Sequence, residues 1–258
     1  MLRRRAIAVL IAGIERLFDT ANGTAVLLDV RTRRVLAVHN REAAERELAQ
    51  PGSVIKPVVL DALIRIGKLG ADETFPCPGE LTISGRSFTC SHPPLDRPLD
   101  TRAALAYSCN SFVAHFAKRF APGELAGQLE RAGLAVSGKV MRAEREAQQL
   151  QALGEERVLV TTSGMASACR LLAGNAAGAV IDGLEDAVEF GTAQRARIAG
   201  LKVAGKTGSA QRIAWFAGFA PSRSPEVAVA VMLHARSGGS DAAPVGGSIL
   251  QAWRAGQL

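Results

Sequence analysis

The sequence predicts an α+β protein: an antiparallel β-sheet flanked by helices, with a helical subdomain inserted into it. Three observations carry this. Short runs of β-branched and aliphatic residues bounded by turn signals occur near the start of the chain and again near its end. A long middle stretch, from about Pro98 to Ala173, is rich in helix formers. Strands therefore open and close the chain while helices fill the middle, which requires the N- and C-terminal parts to share one sheet. A single domain over residues 1–258 follows, with the sheet part at about 1–60 and 185–258 and the insert at about 61–184.

The elements follow in order. Ile7, Leu10, Ile11, Ile14, Leu17 and Phe18 recur at spacings of three and four, the stripe of an amphipathic helix packed on a core. The same stretch, behind Arg3-Arg4-Arg5, has the charged and apolar parts of a signal peptide, but no clear small-x-small cleavage site follows it. The packed helix is the favoured reading. After the breaker Asn22-Gly23, Thr24 to Val30 and Val35 to His39 read as two strands joined by a polar turn. Pro51-Gly52 interrupts the chain again, and Ser53 to about Lys68 then reads as a largely buried helix. Leu81 to Phe88 alternates about Ser84-Gly85, the pattern of a hairpin. Leu201 to Ala204, Ala214 to Ala220 and Val227 to Leu233 are the closing strands, and Pro244 to Leu258 suits a closing helix.

Composition excludes several classes. Hydrophobic residues make up 48% of the chain and charged residues 21%, so there is enough apolar surface to offset chain entropy and disorder is not expected. A net charge of +7 points to anionic surroundings, nucleic acid, acidic lipid or acidic wall polymer. Yet the basic residues are scattered, and one Tyr with two Trp gives no stacking platform for single strands, so no nucleic-acid partner is expected. Folding the Leu81–Phe88 hairpin brings Cys77 and Cys90 near each other. In an oxidising compartment they could form a disulfide; two free thiols, or a metal pair with His92, are the other readings of the same spacing. The metal signal is weak because Cys109 and Cys169 supply no second CxxC-like pair. The four histidines share no spacing that suggests a ligand set or a Ser-His-Asp triad.

The chemistry-bearing residues fall in three short motifs: Ser53-Val54-Ile55-Lys56, Ser108-Cys109-Asn110 and Lys206-Thr207-Gly208-Ser209. Each is weak alone. Their contexts strengthen them: the first opens a buried helix after a breaker, the second lies in the helical insert, and the third ends a strand. Residues three apart on a helix share a face, so Ser53 and Lys56 point into one space. A serine hydroxyl needs a base to take its proton, and a lysine serves when burial or a neighbouring cation lowers its pKa. The apolar helix supplies burial and Lys206 the cation. Ser108 is suited to relay protons and the Asn110 amide to hold a substrate amide. Lys206, Thr207 and Ser209 can grip a carboxylate. The N–H groups of Ser53 and Ser209 are candidates for an oxyanion hole.

In this order the motifs resemble those of the penicillin-binding protein transpeptidase domain, of the β-lactamase/transpeptidase-like superfamily. The likeness extends to Gly23–Val30 with Val35–Ala37, Pro51–Pro57, Ala103–Asn110, Val203–Gln211 and Ala214–Pro221, and so covers nearly the whole chain from Gly23. It implies acylation of Ser53 by a D-Ala-D-Ala peptidoglycan stem peptide or by a β-lactam antibiotic. Lys56 is then the base, Ser108 and Asn110 the second-motif pair, and Lys206, Thr207, Gly208 and Ser209 the strand that holds the substrate carboxylate. No metal or organic cofactor is implied. The implied location is periplasmic or otherwise extracytoplasmic, with inner-membrane association, although the chain carries no clear export signal.

Departures are visible. Neither a membrane anchor nor an additional N-terminal domain is seen, and Gly154–Val158 matches a Gly-rich family stretch only loosely. Arg33 stands where a turn Gly is usual. These suggest a stripped-down transpeptidase dependent on partner proteins of cell-wall synthesis. A DD-carboxypeptidase differs only in the acceptor. A serine β-lactamase of one class would show an E-x-x-L-N pattern, which Glu146-Ala147-Gln148-Gln149-Leu150 does not fit. A binding scaffold would have little reason to keep Ser53, Lys56, Ser108, Asn110 and Lys206 together.

Overall fold

The computed structural model describes Phe18, residues 22–136 and residues 145–258. The expected N-terminal helix lies outside them, apart from Phe18, which is buried and stacks on His39 with ring centroids 4.0 Å apart. Strand β1 (Gly23–Asp29) and β2 (Val35–His39) form the opening hairpin. Arg33 adopts a positive φ of 63° in its turn, the left-handed geometry for which glycine is the usual choice. Strands β3 (Glu80–Ile83) and β4 (Arg86–Thr89) are a separate hairpin. Its corner is Ser84 (φ 48°) and Gly85 (φ 73°), both left-handed as a two-residue type I′ turn demands. β5 (Ala204–Ala210), β6 (Ile213–Ala220) and β7 (Val227–Leu233) complete the main sheet.

That sheet runs β2-β1-β7-β6-β5 and every neighbouring pair is antiparallel, so the two ends of the chain do share it. β7 is central and buried along its whole length, which is why Val227-Ala228-Val229-Ala230-Val231-Met232-Leu233 reads as an unbroken apolar run. Its residues divide by parity, with Ala228, Ala230 and Met232 on one face and Val227, Val229, Val231 and Leu233 on the other.

The helices are α1 (Arg41–Arg46), α2 (Lys56–Arg65), α3 (Thr101–Ala106), α4 (Asn110–Ala117), α5 (Glu124–Arg131), α6 (Arg145–Ala152), α7 (Thr162–Asn175), α8 (Gly178–Glu189) and α9 (Ala243–Arg254). α7 lies on one face of the sheet and α9 on the other. α7 was expected within the insert, but Met165, Ala166 and Leu172 join the core on the face of the sheet that carries Trp215 and Phe219. Helices α2 to α6 stack beyond it. Gln148 and Gln149 of α6 are buried and donate to Ala117, Phe120 and Ala114 carbonyls at the C-terminal end of α4. Those bonds satisfy carbonyls that have no partner inside the helix, and they anchor the helix that begins at Asn110.

Two boundaries differ from the sequence reading. Ser53 belongs to a 3₁₀ turn, Gly52–Ile55, and α2 starts only at Lys56. Pro57 sits in the first turn of α2, where no backbone donor is needed. β5 begins at Ala204 rather than Leu201, so the Lys206 motif lies inside a strand instead of at its end.

Candidate active site

The turn carrying Ser53 is wedged between two other backbone segments. Gly52 has φ +52°, and a Cβ there would stand 2.6 Å from the Ser209 carbonyl oxygen of β5. On the opposite side Gly154, with φ +76°, lies so close that its Cβ would meet the Gly52 carbonyl oxygen at 2.2 Å. The Gly52 N–H donates to the Gly154 carbonyl at 3.1 Å. A Cβ on Gly208 would meet the Pro51 oxygen at 2.5 Å. Three glycines thus let three backbones touch, and Ser53, half-buried, is fixed against the edge strand of the sheet. An edge strand retains a row of N–H and C=O groups that the sheet does not use, the feature an extended peptide can pair with. Trp215, fully buried, adds a further tie by donating its Nε1–H to the Gln50 carbonyl at 2.9 Å.

Lys56 is completely buried. Its Nζ donates to the Ser108 carbonyl at 2.7 Å and to Asn110 Oδ1 at 2.6 Å, and stands 3.4 Å from Ser108 Oγ. The first and second motifs therefore meet at one nitrogen. Ser108 has φ +57°, between the end of α3 and the start of α4, and presents both its carbonyl and its hydroxyl to Lys56. Burial draws the Lys56 ammonium down to about 8, only partly opposed by the negative potential of Cys109, Cys90 and Glu155. Lys206, on β5 and likewise buried, is held well below the ordinary lysine range, by burial first and then by repulsion from Lys56. Two ammonium groups in one dry compartment disfavour each other, so the pair gives up a proton readily.

The third motif packs against the Ser53 turn. Lys206 Nζ contacts the Thr207 carbonyl at 3.1 Å and Thr192 Oγ1 at 3.4 Å, and Thr207 Oγ1 lies 3.1 Å from the same Thr192 hydroxyl. Ser209 is exposed, and its Oγ accepts the Gly238 N–H at 2.9 Å, which leaves its own O–H free to turn outward. Gly208, buried between Thr207 and Ser209, has a bare Cα that admits the Ser53 turn.

All of the residues expected from the three motifs thus converge. Sequence reasoning missed Thr192, Gly154 and Gly238. Thr192 follows α8 and is held by its N–H to the Ala106 carbonyl at 3.2 Å, which joins the third motif to the helix preceding the second. Cys77 and Cys90, the pair read as within reach of a disulfide, are free thiols with Sγ atoms 3.5 Å apart. A bonded pair stands at about 2.05 Å. A third sulfur, that of Cys109, shares their site, 3.4 Å from Cys77 and 3.7 Å from Cys90. His115 stacks on Phe75 at 4.1 Å, as a packed residue should.

Fold and site together define an α+β protein in which a serine–lysine pair lies beneath the edge strand of a five-stranded antiparallel sheet. The chain belongs to the penicillin-binding protein transpeptidase domain family, whose model matches residues 23–251. Among solved structures it is similar to PBP2 of Pseudomonas aeruginosa, determined in complex with WCK 5153, at 21% identity and a TM-score of 0.81, over 95% of this chain and 74% of that one. It is also similar to the D,D-transpeptidase domain of a peptidoglycan glycosyltransferase from Eggerthella lenta, at 19% identity and a TM-score of 0.79, over 97% and 82% of the two chains. At these identities the likeness establishes the fold. A comparison with curated protein sequences gives no significant match.

Proposed function

We propose that the protein is a penicillin-binding serine DD-transpeptidase that acts on D-Ala-D-Ala stem peptides through a Ser53 acyl-enzyme. The observation that carries this reading is Lys56: wholly buried, three residues after Ser53, and bonded to both Ser108 and Asn110. A neutral amine has two N–H donors, which suffice for its two short bonds, and the lone pair is left to accept a proton. The substrate's terminal carboxylate binds along β5 at Lys206, Thr207 and Ser209. Its arrival favours the charged form of Lys206, whose repulsion in turn keeps Lys56 neutral, so substrate binding prepares the base.

Ser53 Oγ then attacks the penultimate D-Ala carbonyl carbon while its proton passes to Lys56 Nζ. The oxyanion of the tetrahedral intermediate is received by the N–H groups of Ser53 and Ser209. The C–N bond breaks, and the leaving D-Ala nitrogen takes a proton delivered from Lys56 through the Ser108 hydroxyl. The acceptor amine of a second stem attacks the ester carbonyl and gives up a proton to Lys56, which returns it to Ser53 Oγ as the C–O bond breaks. A β-lactam enters the same path but keeps its leaving nitrogen tethered in the ring-opened product. The reaction places the protein outside the cytoplasm, at a periplasmic or membrane-associated face, where wall-synthesis partners would supply the acceptor strand. Among the described residues no helix is long and apolar enough to cross a membrane.

The test is mass spectrometry of the purified chain with excess labelled penicillin, beside Ser53→Ala. A lasting adduct of one drug mass on Ser53, absent from the variant, supports the reading. Rapid turnover without an adduct indicates a β-lactamase, and no reaction with drug or stem peptide indicates a binding scaffold. With a peptide substrate, release of D-Ala without transfer to an added amine indicates a DD-carboxypeptidase.

A further inference from the structure

Cys77, Cys90 and Cys109 come from three separate segments: the approach to β3, the residue after β4 and the N-cap of α4. Their sulfurs nevertheless form a nearly equilateral triangle, with edges of 3.4, 3.5 and 3.7 Å. A ring nitrogen of His92 completes the group, and the four ligand atoms all lie within 4.8 Å of one another. A disulfide could join two of the thiols but would strand the third. Sulfurs at about 2.3 Å from a tetrahedral Zn²⁺ stand roughly 3.8 Å apart, close to the edges observed.

His92 supplies an independent observation. Its Nδ1 lies 2.8 Å from the Pro93 carbonyl, while its Nε2 is buried and has no hydrogen-bond partner. A ring that donates Nδ1–H to a carbonyl keeps an unprotonated lone pair on Nε2, the tautomer of a metal-bound histidine. Left without a partner, a buried acceptor of this kind is a cost to the fold.

We propose that Cys77, Cys90, His92 and Cys109 bind one Zn²⁺ ion in a closed structural site. Three soft sulfurs and one imidazole suit zinc, and four protein ligands leave no open position for a reacting water. Binding replaces the thiol protons with the metal, and those protons leave to solvent. The sequence reading assigned no metal because it sought a second close cysteine pair; the third sulfur is delivered instead by the fold.

The location gives the ion a task. Cys109 is the middle residue of Ser108-Cys109-Asn110 and caps α4 through the Phe112 N–H at 3.4 Å. Cys90 follows Thr89, whose carbonyl accepts the Asn110 side-chain N–H at 3.0 Å. An ion tying Cys90 to Cys109 therefore fixes the two backbone segments that orient Ser108 and Asn110 around Lys56. The site goes beyond the acyltransfer reading and can be tested without it.

The experiment is metal analysis of the whole chain purified without chelator, followed by Co²⁺ titration of the metal-stripped protein. The expected result is one zinc per chain, and a cobalt complex with intense thiolate charge-transfer bands and the visible bands of tetrahedral Co²⁺. Cys90→Ser should abolish both signals. His92→Ala, which leaves all three sulfurs in place and serves if the cysteine variant does not fold, should weaken zinc at least tenfold against a chromophoric chelator. Four free thiols with no zinc or cobalt uptake would overturn the proposal. So would a Cys77–Cys90 disulfide recovered by peptide mapping, or unchanged affinity in His92→Ala. None of these readouts depends on penicillin acylation.

Discussion

Asn110 links two parts of the site with one amide: its Oδ1 lies 2.6 Å from Lys56 Nζ, and its Nδ2 donates to the Thr89 carbonyl at 3.0 Å. The side chain is thus oriented from one end and holds the lysine with the other. Asn110→Asp keeps the shape but places a carboxylate against the ammonium, which raises the Lys56 pKa above about 8. The acylation rate at pH 7 should fall at least about tenfold, one pKa unit being about 1.4 kcal/mol, and should recover as pH rises. Asn110→Ala should slow acylation without an upward move of the profile. Stopped-flow kinetics with a fluorescent penicillin from pH 6 to 10 makes the comparison; identical profiles would remove Asn110 from any control of the base.

The wild-type enzyme should itself depend on pH in a defined sense. If neutral Lys56 is the base, acylation rises about tenfold per pH unit below about 8 and levels above it. Stability moves in the same direction. The folded pKa of Lys56 lies below the unfolded value of 10.5, so between about 8 and 10.5 the unfolded chain binds more protons and stability increases with pH. The associated cost at neutral pH is on the order of 3 kcal/mol. Denaturant unfolding of wild type and Lys56→Met across pH 7–10.5 isolates it: the difference between the two should narrow as pH rises, and a constant difference would contradict the buried, shifted lysine.

Much of this was legible in the chain, for physical reasons that can be named. The β7 run and the Ser84-Gly85 corner are local signals, one of burial on two faces and one of backbone handedness, and both appear where the residues placed them. The first two motifs sit at breaks between elements, in the turn before α2 and between α3 and α4, whereas the third lies inside β5. The start of β5 was not legible. Gly205 and Gly208 weaken strand propensity, and their purpose is tertiary: a Cβ at Gly205 would press on the Phe216 ring at 2.7 Å, and one at Gly208 on the Pro51 oxygen at 2.5 Å. Thr192 gave no signal, because its role depends on the distant Ala106, Lys206 and Thr207.

Thr192 therefore makes a direct test of what the fold adds to the motifs. Thr192→Val preserves shape but removes the oxygen that Lys206 and Thr207 share. Thr207 loses its partner, and a buried unsatisfied hydroxyl costs about 1–3 kcal/mol. The second-order rate constant for acylation should drop about tenfold, through weaker binding of the carboxylate, and the melting temperature should fall by about 2–12 °C, at about 2–4 °C per kcal/mol. An unchanged rate constant would mean that Thr192 merely fills space.

Gly154 offers the opposite kind of test, a residue with no reactive group whose replacement should silence the site. At φ +76° any side chain is strained by about 1–3 kcal/mol, and a Cβ would meet the Gly52 oxygen at 2.2 Å, where backbone faces backbone and neither can rotate away. Relief requires the Ser53 turn to shift toward β5, but Ser209 already closes that side. Gly154→Ala should lower the melting temperature by several degrees, at about 2–4 °C per kcal/mol for a chain of this size, and reduce penicillin acylation at least a hundredfold in the fraction still folded. Gly85→Asn is the control: its φ of +73° is equally left-handed, but open space surrounds it and asparagine tolerates that geometry. It should leave both measurements nearly unchanged. Equal effects of the two substitutions would show that backbone strain alone is at work; loss of acylation confined to Gly154→Ala would show that the close approach of Gly154, Gly52 and Ser209 is what holds Ser53 in its reactive place.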